Sequence, residues 1–567
     1  MKKKLLLSIV LIGWLIGNAQ AQKDLGVWAK QIEGHESSYF NNVLYDGKDI
    51  IVNGTWLLDA EFEQLALPYH VGTNALIAKL DTAGNIKWSA TLTGDSYDSV
   101  FDMVLDSDKN IVVIGWTSSD IYVNVNDVTV YTPELIYTTR GFIAKFSGET
   151  GKLIWYKTFL PYEQYMGVYG SRLAVDSNNN IYAAGYYNAS FMYEELSFHY
   201  GQEGWGSLPF VLKLDTHGKA IWGQTFNFVK GEYGGYFIPR SLAVNNNKLY
   251  LGFEYSMPLI VNTDTMPHTG MMDWVGIVSL SVSNGAPVDK IALGTEAEQG
   301  IAQIKFDKNN DLIAGGYFTC GTDFKIGNTT LTGTETGTYN AYLAKFNSKL
   351  EPIWAKPLES RTAAYIFNIN IGNNNNLYLG GGYYSATPVV FDKQSIVPVS
   401  AIPSAAMFQA VFDNDGKFVT SLSLNGINEN SIINYRNSTL ISDNKLIVVG
   451  NTLDSVQLSK NVKVYSDHNK AFIMKWEMPQ IQTTGNFVIK TQPLGIYPNP
   501  SSGTIHISNI ESISRIEIYS MQGVLVKSFN RLSLHEQLSI ADLNDNMYIV
   551  RTMANGEIFT DKILLKR

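Results

Sequence analysis

The feature that most constrains this chain is a strand pattern that recurs seven times. Each copy runs through apolar residues into a glycine and then usually an aromatic or hydroxyl residue, as in NIVVIGWT at 110–117. The repeated glycines follow one another at a nearly even interval, at Gly54, Gly115, Gly185, Gly252, Gly315, Gly380 and Gly450. A self-similar period of this kind indicates one supersecondary unit that is repeated along the chain.

A second pattern keeps the same period. In ALIAKLDTAGNIKW at 75–88, two strand-like runs flank a turn rich in Asp, Asn and Gly, which is the sequence form of a β-hairpin. The seventh copy, AFIMKW at 471–476, stops after its first strand. Its partner is predicted at the other end of the chain, where GVWAKQI at 26–32 matches the second strand alone.

These repeats predict an all-β fold in which residues 22–478 form a seven-bladed β-propeller. Taking the outer strand of the last blade from the N-terminus would close the ring and remove an open sheet edge. The period exceeds the roughly 40 to 45 residues of a four-stranded WD repeat. The surplus, for example DFKIGNTTLTG at 323–333, is predicted to form a short extra hairpin in each blade.

The repeats also carry a family resemblance. DFKIGNTTLTG followed by AYLAKFNSKLEPIW at 341–354 resembles the bacterial (SBBP-like) β-propeller repeat of extracellular proteins. Blades four and six depart from that pattern, because Val288 and Val419 replace its tryptophan. The resemblance implies an extracellular location for the protein.

Residues 1–21 have the form of an export signal. Lysines at 2–4 precede the apolar run LLLSIVLIGWLIG at 5–17, and the small-residue pattern predicts cleavage between Ala21 and Gln22. The alternative is a membrane anchor, but a span needs about 20 apolar residues and this run is shorter. The mature protein is therefore expected to contain no transmembrane segment.

A polar linker at 479–494 leads to a different kind of sequence at 495–567, where alternating strands separated by SSG, MQG and ANG turns predict a small β-sandwich. This segment resembles the type A C-terminal sorting domain of the type IX secretion system. The residues that carry the resemblance are Tyr497, Pro498, Asn499, Pro500, Gly503, Gly523 and Tyr548.

The resemblance implies that the secretion machinery moves the folded protein across the outer membrane of a Gram-negative bacterium. The domain would then be removed, and the protein released or attached to the surface. One position departs from the family, since Asn546 and Met547 occupy the place of the glycine before the tyrosine. A terminal immunoglobulin-like adhesion domain is the alternative.

Composition and motifs exclude several functions. The net charge of −9 leaves no basic stripe for nucleic acid. The chain lacks metalloprotease, hydrolase and phosphate-loop motifs, and its eight histidines are scattered, so no catalytic residue, metal or cofactor is expected. Turns such as DSDKN at 106–110 superficially resemble calcium loops but lack the glycine and terminal acid of such loops.

Aromatic residues offer the best indication of function. With four strands per blade, the loop between second and third strands and the loop that enters the first strand lie on one face of the disc. A polysaccharide or surface protein is expected to bind there, at Trp116, Tyr186, Tyr187, Trp205, Trp274, Tyr383 and Tyr384. The leading hypothesis is an exported, non-catalytic binding or adhesion platform. The alternative is a secreted glycan hydrolase or lyase with acidic residues near the channel.

Overall fold

The computed structural model describes residues 26–567 apart from 68–71, 95–96, 119–120, 124–127, 131–137, 164, 202–205, 230–233, 246, 334, 336, 392–393, 398–403, 427, 455, 460–461, 465, 479–494, 509–512, 521–524, 531–536 and 555–556. Throughout these residues the secondary structure is β, with 51 strands and no helix. The predicted all-β class is confirmed. The chain divides into two compact units, Met1–Gln480 and Ile481–Arg567, which are described separately.

Within its described residues, the N-terminal unit contains seven antiparallel sets of four strands, numbered 1 to 7 along the chain. The first strands are Ser38–Tyr45, Asp98–Leu105, Val168–Val175, Phe237–Val244, Gln299–Phe306, Ala364–Ile371 and Ile432–Ser442. The second strands are Ile50–Leu57, Ile111–Thr117, Ile181–Tyr187, Lys248–Tyr255, Leu312–Thr319, Leu377–Tyr384 and Lys445–Leu453. The third strands are Thr73–Leu80, Arg140–Phe146, Leu208–Leu214, Trp274–Ser281, Tyr339–Phe346, Ala405–Phe412 and Lys470–Glu477. The fourth strands are Ile86–Thr93, Leu153–Thr158, Ala220–Thr225, Pro287–Leu293, Pro352–Leu358, Phe418–Leu424 and, in set 7, Gly26–Gly34.

The fourth strand of set 7 comes from the N-terminus. Gly26–Gly34 pairs antiparallel with Lys470–Glu477, with Ala29 opposite Met474 and Gln31 opposite Phe472. This is the pairing predicted from the unpaired seventh hairpin. Each first strand contacts the first strand of the next set, and the first strand of set 7 contacts that of set 1.

Short extra hairpins follow the second strands, as the surplus residues in each repeat predict. They are Ala60–Phe62 with Leu65–Leu67, Ile121–Val123 with Val128–Val130, Phe191–Tyr193 with Leu196–Phe198, Leu259–Val261 with Asp264–Met266, Phe324–Ile326 with Thr329–Leu331, Val389–Phe391 with Gln394–Val397, and Val456–Ser459 with Val462–Val464. Short strands at Leu160–Pro161 and Asn227–Phe228 extend two of them.

The repeated Lys and Trp of the hairpin motif connect neighbouring sets. The indole N–H of Trp155 in set 2 donates to the Thr216 carbonyl in the hairpin turn of set 3 at 3.1 Å. The indole N–H of Trp28 makes the equivalent bond from set 7 to Thr82 of set 1, also at 3.1 Å. In these sets the motif recurs because its tryptophan fixes the turn of the following set.

Apolar side chains of the second and third strands fill the space between sets. Residues such as Ile114, Ile181 and Leu251 belong to one cluster that spans sets 2 to 4. Each buried side chain of this size contributes roughly 1.5 to 3 kcal/mol. This interior repeats from set to set because each set meets similar neighbours.

All seven first strands are bulged at the equivalent position. In each, the pairing with the second strand skips one residue, as between Val100 and Asp102 in set 2. A bulge adds an unpaired residue and re-aims the side chains beside it. The skipped residues are Asn41, Phe101, Ser171, Arg240, Ala302, Phe367 and Arg436.

The bulge explains several of the repeated glycines of the second strand. A Cβ on Gly115 would lie 1.9 Å from the carbonyl oxygen of Ser99, just before the bulge. The equivalent backbone oxygen would lie 2.1 Å from a Cβ on Gly185 and on Gly450. At these positions the first strand leaves no room for a side chain, so the glycine is a steric requirement of the bulge.

The C-terminal unit contains two small sheets in its described residues. One comprises Gly495–Tyr497, Thr504–Ser508 and Leu538–Ser539. The other follows the order Leu525–Asn530, Ile513–Ser520, Asn546–Ala554 and Glu557–Leu565. Ile505, Ile518, Val550 and Ile563 are fully buried in its core.

Candidate functional site

A cavity of about 260 Å³ lies among the seven first strands, and every one of them contributes to its lining. The contribution begins with Asn41–Leu44 in set 1 and ends with Arg436–Thr439 in set 7. Because each strand is bulged here, residues at and just after the bulge face the cavity. The site is thus assembled from residues that are far apart in sequence.

Hydrogen bonds link the first strands just after the bulge. Asn437 of set 7 donates through Nδ2 to Asn42 Oδ1 of set 1 at 2.8 Å. Asn42 Nδ2 donates to Asp102 Oδ1 at 2.7 Å, and Asp102 Oδ2 accepts the Leu173 N–H at 2.9 Å. The remaining links run from Ser171 to Pro239, Ser241 to Ile304, Gln303 to Ile369 and Asn368 to Asn437. These bonds hold the polar wall of the cavity in place.

The charge of the lining is predominantly positive. Its described residues include four cations, Arg172, Arg240, Lys305 and Arg436, but one acid, Asp102. The whole chain carries a net charge of −9. A local reversal of sign inside a narrow cavity concentrates the field and favours an anionic ligand.

Two of these cations are held by the protein. Arg172 donates from Nη1 to the Ser171 carbonyl at 2.7 Å and from Nε to the Arg240 carbonyl. Arg240 donates from Nε and Nη2 to Glu254 Oε2 at 2.9 and 2.6 Å. Burial alone would lower the pKa of Arg240, but the charge and hydrogen bond of Glu254, together with the charges of Tyr317 and Asp273, raise that pKa. Arg240 is therefore a fixed, permanently charged group.

The other two cations, Lys305 and Arg436, are available to bind a ligand. Within the described residues, the Lys305 ammonium has no hydrogen bond or ion pair, and Arg436 lies 5.9 Å from the ring centre of Tyr39. Burial lowers the pKa of Lys305, and the charge of Asp102 opposes that shift. An anion in the cavity would stabilise the protonated ammonium.

The single acid in the described lining, Asp102, is hydrogen-bonded within the wall of the cavity. Burial raises the pKa of Asp102, although the charge of Arg172 acts in the opposite direction. Both carboxylate oxygens also accept hydrogen bonds, from Asn42 and from the Leu173 N–H. Asp102 thus holds neighbouring strands together, and its charge also acts on Lys305.

Aromatic side chains lie beside the cavity lining, in the region that we call its mouth. Trp116 lies opposite Ser99 and Tyr186 opposite Tyr169, in both sets one pair beyond the bulge. Tyr317 occupies the same position in set 5, opposite Gly300. Phe101 of the lining lies 6.3 Å from Trp116 between ring centres, so these aromatic rings adjoin the cavity.

The structure separates the aromatic residues predicted from sequence. Trp116 and Tyr186 lie at the cavity mouth, half-buried. Tyr187 and Tyr383 are buried, and their hydroxyls bond Thr225 and Asn425. Trp274 and Tyr384 lie at the ends of their strands, and Trp205 falls outside the described residues.

The four cavity cations and Asp102 were missed by sequence reasoning. The cations lie in four different sets, so at least one full repeat of the chain separates each of them from the next. The usable signal was the alignment of the seven first strands with one another. In that alignment the residue at the bulge changes between most sets, and it is an arginine in two of them.

The Asp-rich turns behave as turn formers. Asp106 accepts the Asn110 N–H at 2.8 Å through Oδ1, and its Oδ2 lies 2.8 Å from the Lys145 ammonium. Asp307 has the same two kinds of partner, in Asp311 and Lys345. In the part of the chain that is described, no group of three or more His, Cys, Asp or Glu residues could hold a metal ion.

The predicted sorting-motif residues lie in the first turn of the C-terminal unit and against its last strand. Asn499 donates to the Lys562 carbonyl at 2.8 Å and accepts the Leu564 N–H at 2.9 Å. Tyr497 stacks on His506 at 5.3 Å, and the Tyr548 hydroxyl donates to the Asn544 carbonyl at 2.7 Å. The other motif residues are Pro498 and Pro500, Gly503 at φ 135°, and Gly523, which lies outside the described residues.

Residues 495–566 match the family of the secretion system C-terminal sorting domain. The chain thus carries the C-terminal sorting domain of the type IX secretion system, as its YPNP motif predicted. This domain indicates secretion to the cell surface or to the outside. Across the described residues, no helix is long and apolar enough to cross a membrane.

No curated protein sequence matches the chain. Among solved structures, a protein of unknown function from Dyadobacter fermentans is 10% identical over 66% of this chain and 94% of its own, with a TM-score of 0.34. PorZ, a surface component of the type IX secretion system of Porphyromonas gingivalis, is 10% identical over 95% and 100%, with a TM-score of 0.13. The plexin A4 extracellular region is 8% identical over 94% and 53%, with a TM-score of 0.38.

Proposed function

We propose that this protein is an exported, non-catalytic binding platform whose N-terminal unit is a seven-bladed β-propeller with an anion-binding site in its central cavity. The sorting domain delivers it to the cell surface or beyond. The predicted export signal at 1–21 starts that route. A binding or adhesion role at the surface follows from this combination.

The ring arrangement is supported by three independent links from set 7 to set 1. The strand Gly26–Gly34 completes set 7. Trp28 of that strand bonds the hairpin turn of set 1 at Thr82. Asn437 bonds Asn42 across the cavity wall. A ring closed in this way leaves only short, protected sheet edges.

The observation that carries the function is the excess of cations in the cavity. Among the described residues, Lys305 and Arg436 form no ion pair, whereas Arg172 and Arg240 are held by carbonyls and by Glu254. Both side chains are solvent-exposed in the cavity lining, so an anion that enters the cavity can reach their charged groups. Opposite charges attract more strongly in a narrow cavity than in open water, so the site favours an anion.

The glycan hydrolase or lyase alternative requires two suitably placed carboxyl groups. Glycoside hydrolysis places them roughly 5 to 10 Å apart, one acting as acid. The described lining of the cavity has one acid, Asp102, and its two oxygens are occupied by neighbouring strands. The geometry therefore favours a binder over an enzyme.

Simple anions test the site in the full-length protein. Thermal melting with acetate, sulfate or phosphate should show a concentration-dependent rise in Tm, because a ligand that binds the folded state alone stabilises it. Chloride at matched ionic strength and neutral glucose are the controls. The variant Lys305→Gln should lose most of the rise. Equal responses of the variant and the parent would contradict the cavity as the anion site.

Export is tested by deleting residues 495–567. The truncated protein should stay folded and accumulate in the periplasm, because the two units have separate cores. The full-length protein should reach the surface or the medium. Equal amounts of both proteins outside the cell would contradict delivery by the C-terminal domain.

A further inference from the structure

Two groups of aromatic side chains flank Arg240 at the mouth of the cavity. In the first group, ring centres are 6.3 Å apart between Phe101 and Trp116, 6.2 Å between Trp116 and Tyr169, and 4.8 Å between Tyr169 and Tyr186. The second group comprises Tyr317, Tyr339, Tyr365 and Phe367, with neighbouring centres 5.5 to 5.9 Å apart.

Both groups reach the charged part of the site. The charge of Arg240 acts on Tyr186 from one side and on Tyr317 from the other. Phe101 and Phe367 are also cavity-lining bulge residues, and they remain 42% and 43% exposed. The mouth thus places apolar ring faces beside guanidinium groups.

We propose that the cavity and its aromatic mouth bind an acidic sugar residue at the end of a saccharide chain, with the sugar's carboxylate or sulfate in the cavity. This rests on the proposed anion site. Lys305 and Arg436 receive the acidic group, and the rings beside Trp116 and Phe367 receive the C–H faces of the sugar. Aromatic side chains combine an apolar face with polar neighbours, which suits a pyranose ring.

Amide side chains supply the hydrogen bonds that sugar hydroxyls need. Asn41, Gln303 and Asn370 all line the cavity. Ligand pockets typically combine apolar walls with a few placed polar groups and hold roughly 300 to 1,000 Å³. At about 260 Å³ this cavity is slightly smaller than that range, so it accommodates one residue while the rest of the chain leaves through the mouth.

The acidic group and the sugar ring of the ligand contribute separately to the affinity. Ligands that carry only one of the two therefore test the proposal. Isothermal titration of the full-length protein is carried out with trigalacturonate, with neutral galactotriose, and with acetate as the anion alone. Trigalacturonate should bind at least about tenfold more tightly than acetate, a gain of the size that one aromatic anchor provides. Galactotriose should bind far more weakly than trigalacturonate. A sulfated trisaccharide distinguishes sulfate from carboxylate as the preferred acid.

Two kinds of variant separate the contribution of the cation from that of the aromatic rings. Lys305→Gln should weaken trigalacturonate and acetate alike, by about tenfold or more. Trp116→Ala should weaken trigalacturonate about tenfold and leave acetate unchanged. Phe367→Ala provides the same test at an exposed ring if Trp116→Ala fails to fold. The matched control is Tyr122→Ala, on the hairpin strand Ile121–Val123, which pairs with the fourth strand of set 1 and not with a first strand.

The outcomes show whether the saccharide inference, the proposed anion site, or both are wrong. Equal affinities for trigalacturonate and acetate would overturn the saccharide inference and leave the anion site standing. An equal loss of both ligands in Trp116→Ala would also overturn it. Failure of trigalacturonate, the sulfated trisaccharide and acetate to bind the parent would overturn both proposals. Loss of trigalacturonate alone in the ring variants, with Tyr122→Ala unaffected, supports the inference.

Discussion

The second and first strands of each set differ in how strictly they repeat. The second strands Ile111–Thr117 and Ile181–Tyr187 have the same pattern of buried and half-buried residues. At the bulge of the first strands the residue changes from set to set, and Phe101, Arg240 and Ala302 are three examples. Second strands repeat because each must pack against a similar pair of neighbours. The bulge residues share one cavity, so each can contribute something different.

Energetically, the two regions have opposite requirements. The interior between sets is stabilised by apolar burial, with side chains such as Phe210 fully enclosed. The cavity wall keeps charged and amide groups in place through hydrogen bonds between sets, as from Asn42 to Asp102. Substitutions in the interior should therefore reduce stability, and substitutions in the wall should reduce binding.

The largest effect is expected from removing residues 23–34. Set 7 would lose its fourth strand, and the third strand Lys470–Glu477 would expose a row of unpaired backbone groups. We expect a sharp fall in Tm together with aggregation, measured by calorimetry and light scattering. A truncated protein that melts like the parent would show that this strand contributes little to the fold.

A matched pair of substitutions compares interior and wall directly. Phe210→Ala should lower the free energy of unfolding by about 3 to 5 kcal/mol, since this ring is fully buried. Phe367→Ala should cost about 1 kcal/mol, because its ring is already 43% exposed in the cavity. Urea denaturation of both variants gives the two values. Equal losses would show that the cavity wall is packed like the interior.

A third test concerns the glycines opposite the bulge. Gly115→Ala should cost about 1 to 3 kcal/mol, because the new Cβ would meet the Ser99 carbonyl oxygen at 1.9 Å. Gly252→Ala is the control, since its nearest neighbour is the flexible Ile301 Cδ1 at 3.1 Å. It should change stability less than Gly115→Ala does. The reverse order in denaturation experiments would contradict the steric role of the bulge.

The smallest effect is a pH dependence of anion binding. Burial lowers the pKa of Lys305 below its ordinary value of 10.5. Acetate binds the protonated ammonium, so its affinity should fall as pH rises through this lowered pKa. Arginine side chains are not deprotonated in proteins, and burial raises the pKa of Asp102, whose titration lies on the acidic side of this range. Titrations from neutral to alkaline pH should show the fall in the parent and a weak, flat response in Lys305→Gln.

Much of the frame could be predicted from sequence. The repeated glycine and the Lys–Trp hairpin motif indicated strands in their correct places, and the incomplete seventh hairpin indicated its partner, Gly26–Gly34. The YPNP motif indicated the sorting domain. These features are local, because turns, alternation and motif spacing are encoded within short consecutive stretches of the chain.

The site could be predicted only in part. Tyr186 and Tyr187 are neighbours in sequence and looked equivalent, but alternate residues of a strand face opposite sides. The structure places Tyr186 at the mouth and buries Tyr187. The sequence pattern located the aromatic segments without the register that decides which ring is accessible.

What the sequence determined by itself is the repeated all-β frame, its N-terminal strand and its export domain, since each depends on interactions within or between adjacent copies of a motif. Only the tertiary structure decided the charge of the cavity. Arg172, Arg240, Lys305 and Arg436 come from four sets and meet because bulges in separate strands turn toward a common space. A sequence records distance along the chain, whereas an electrostatic site depends on distance through space.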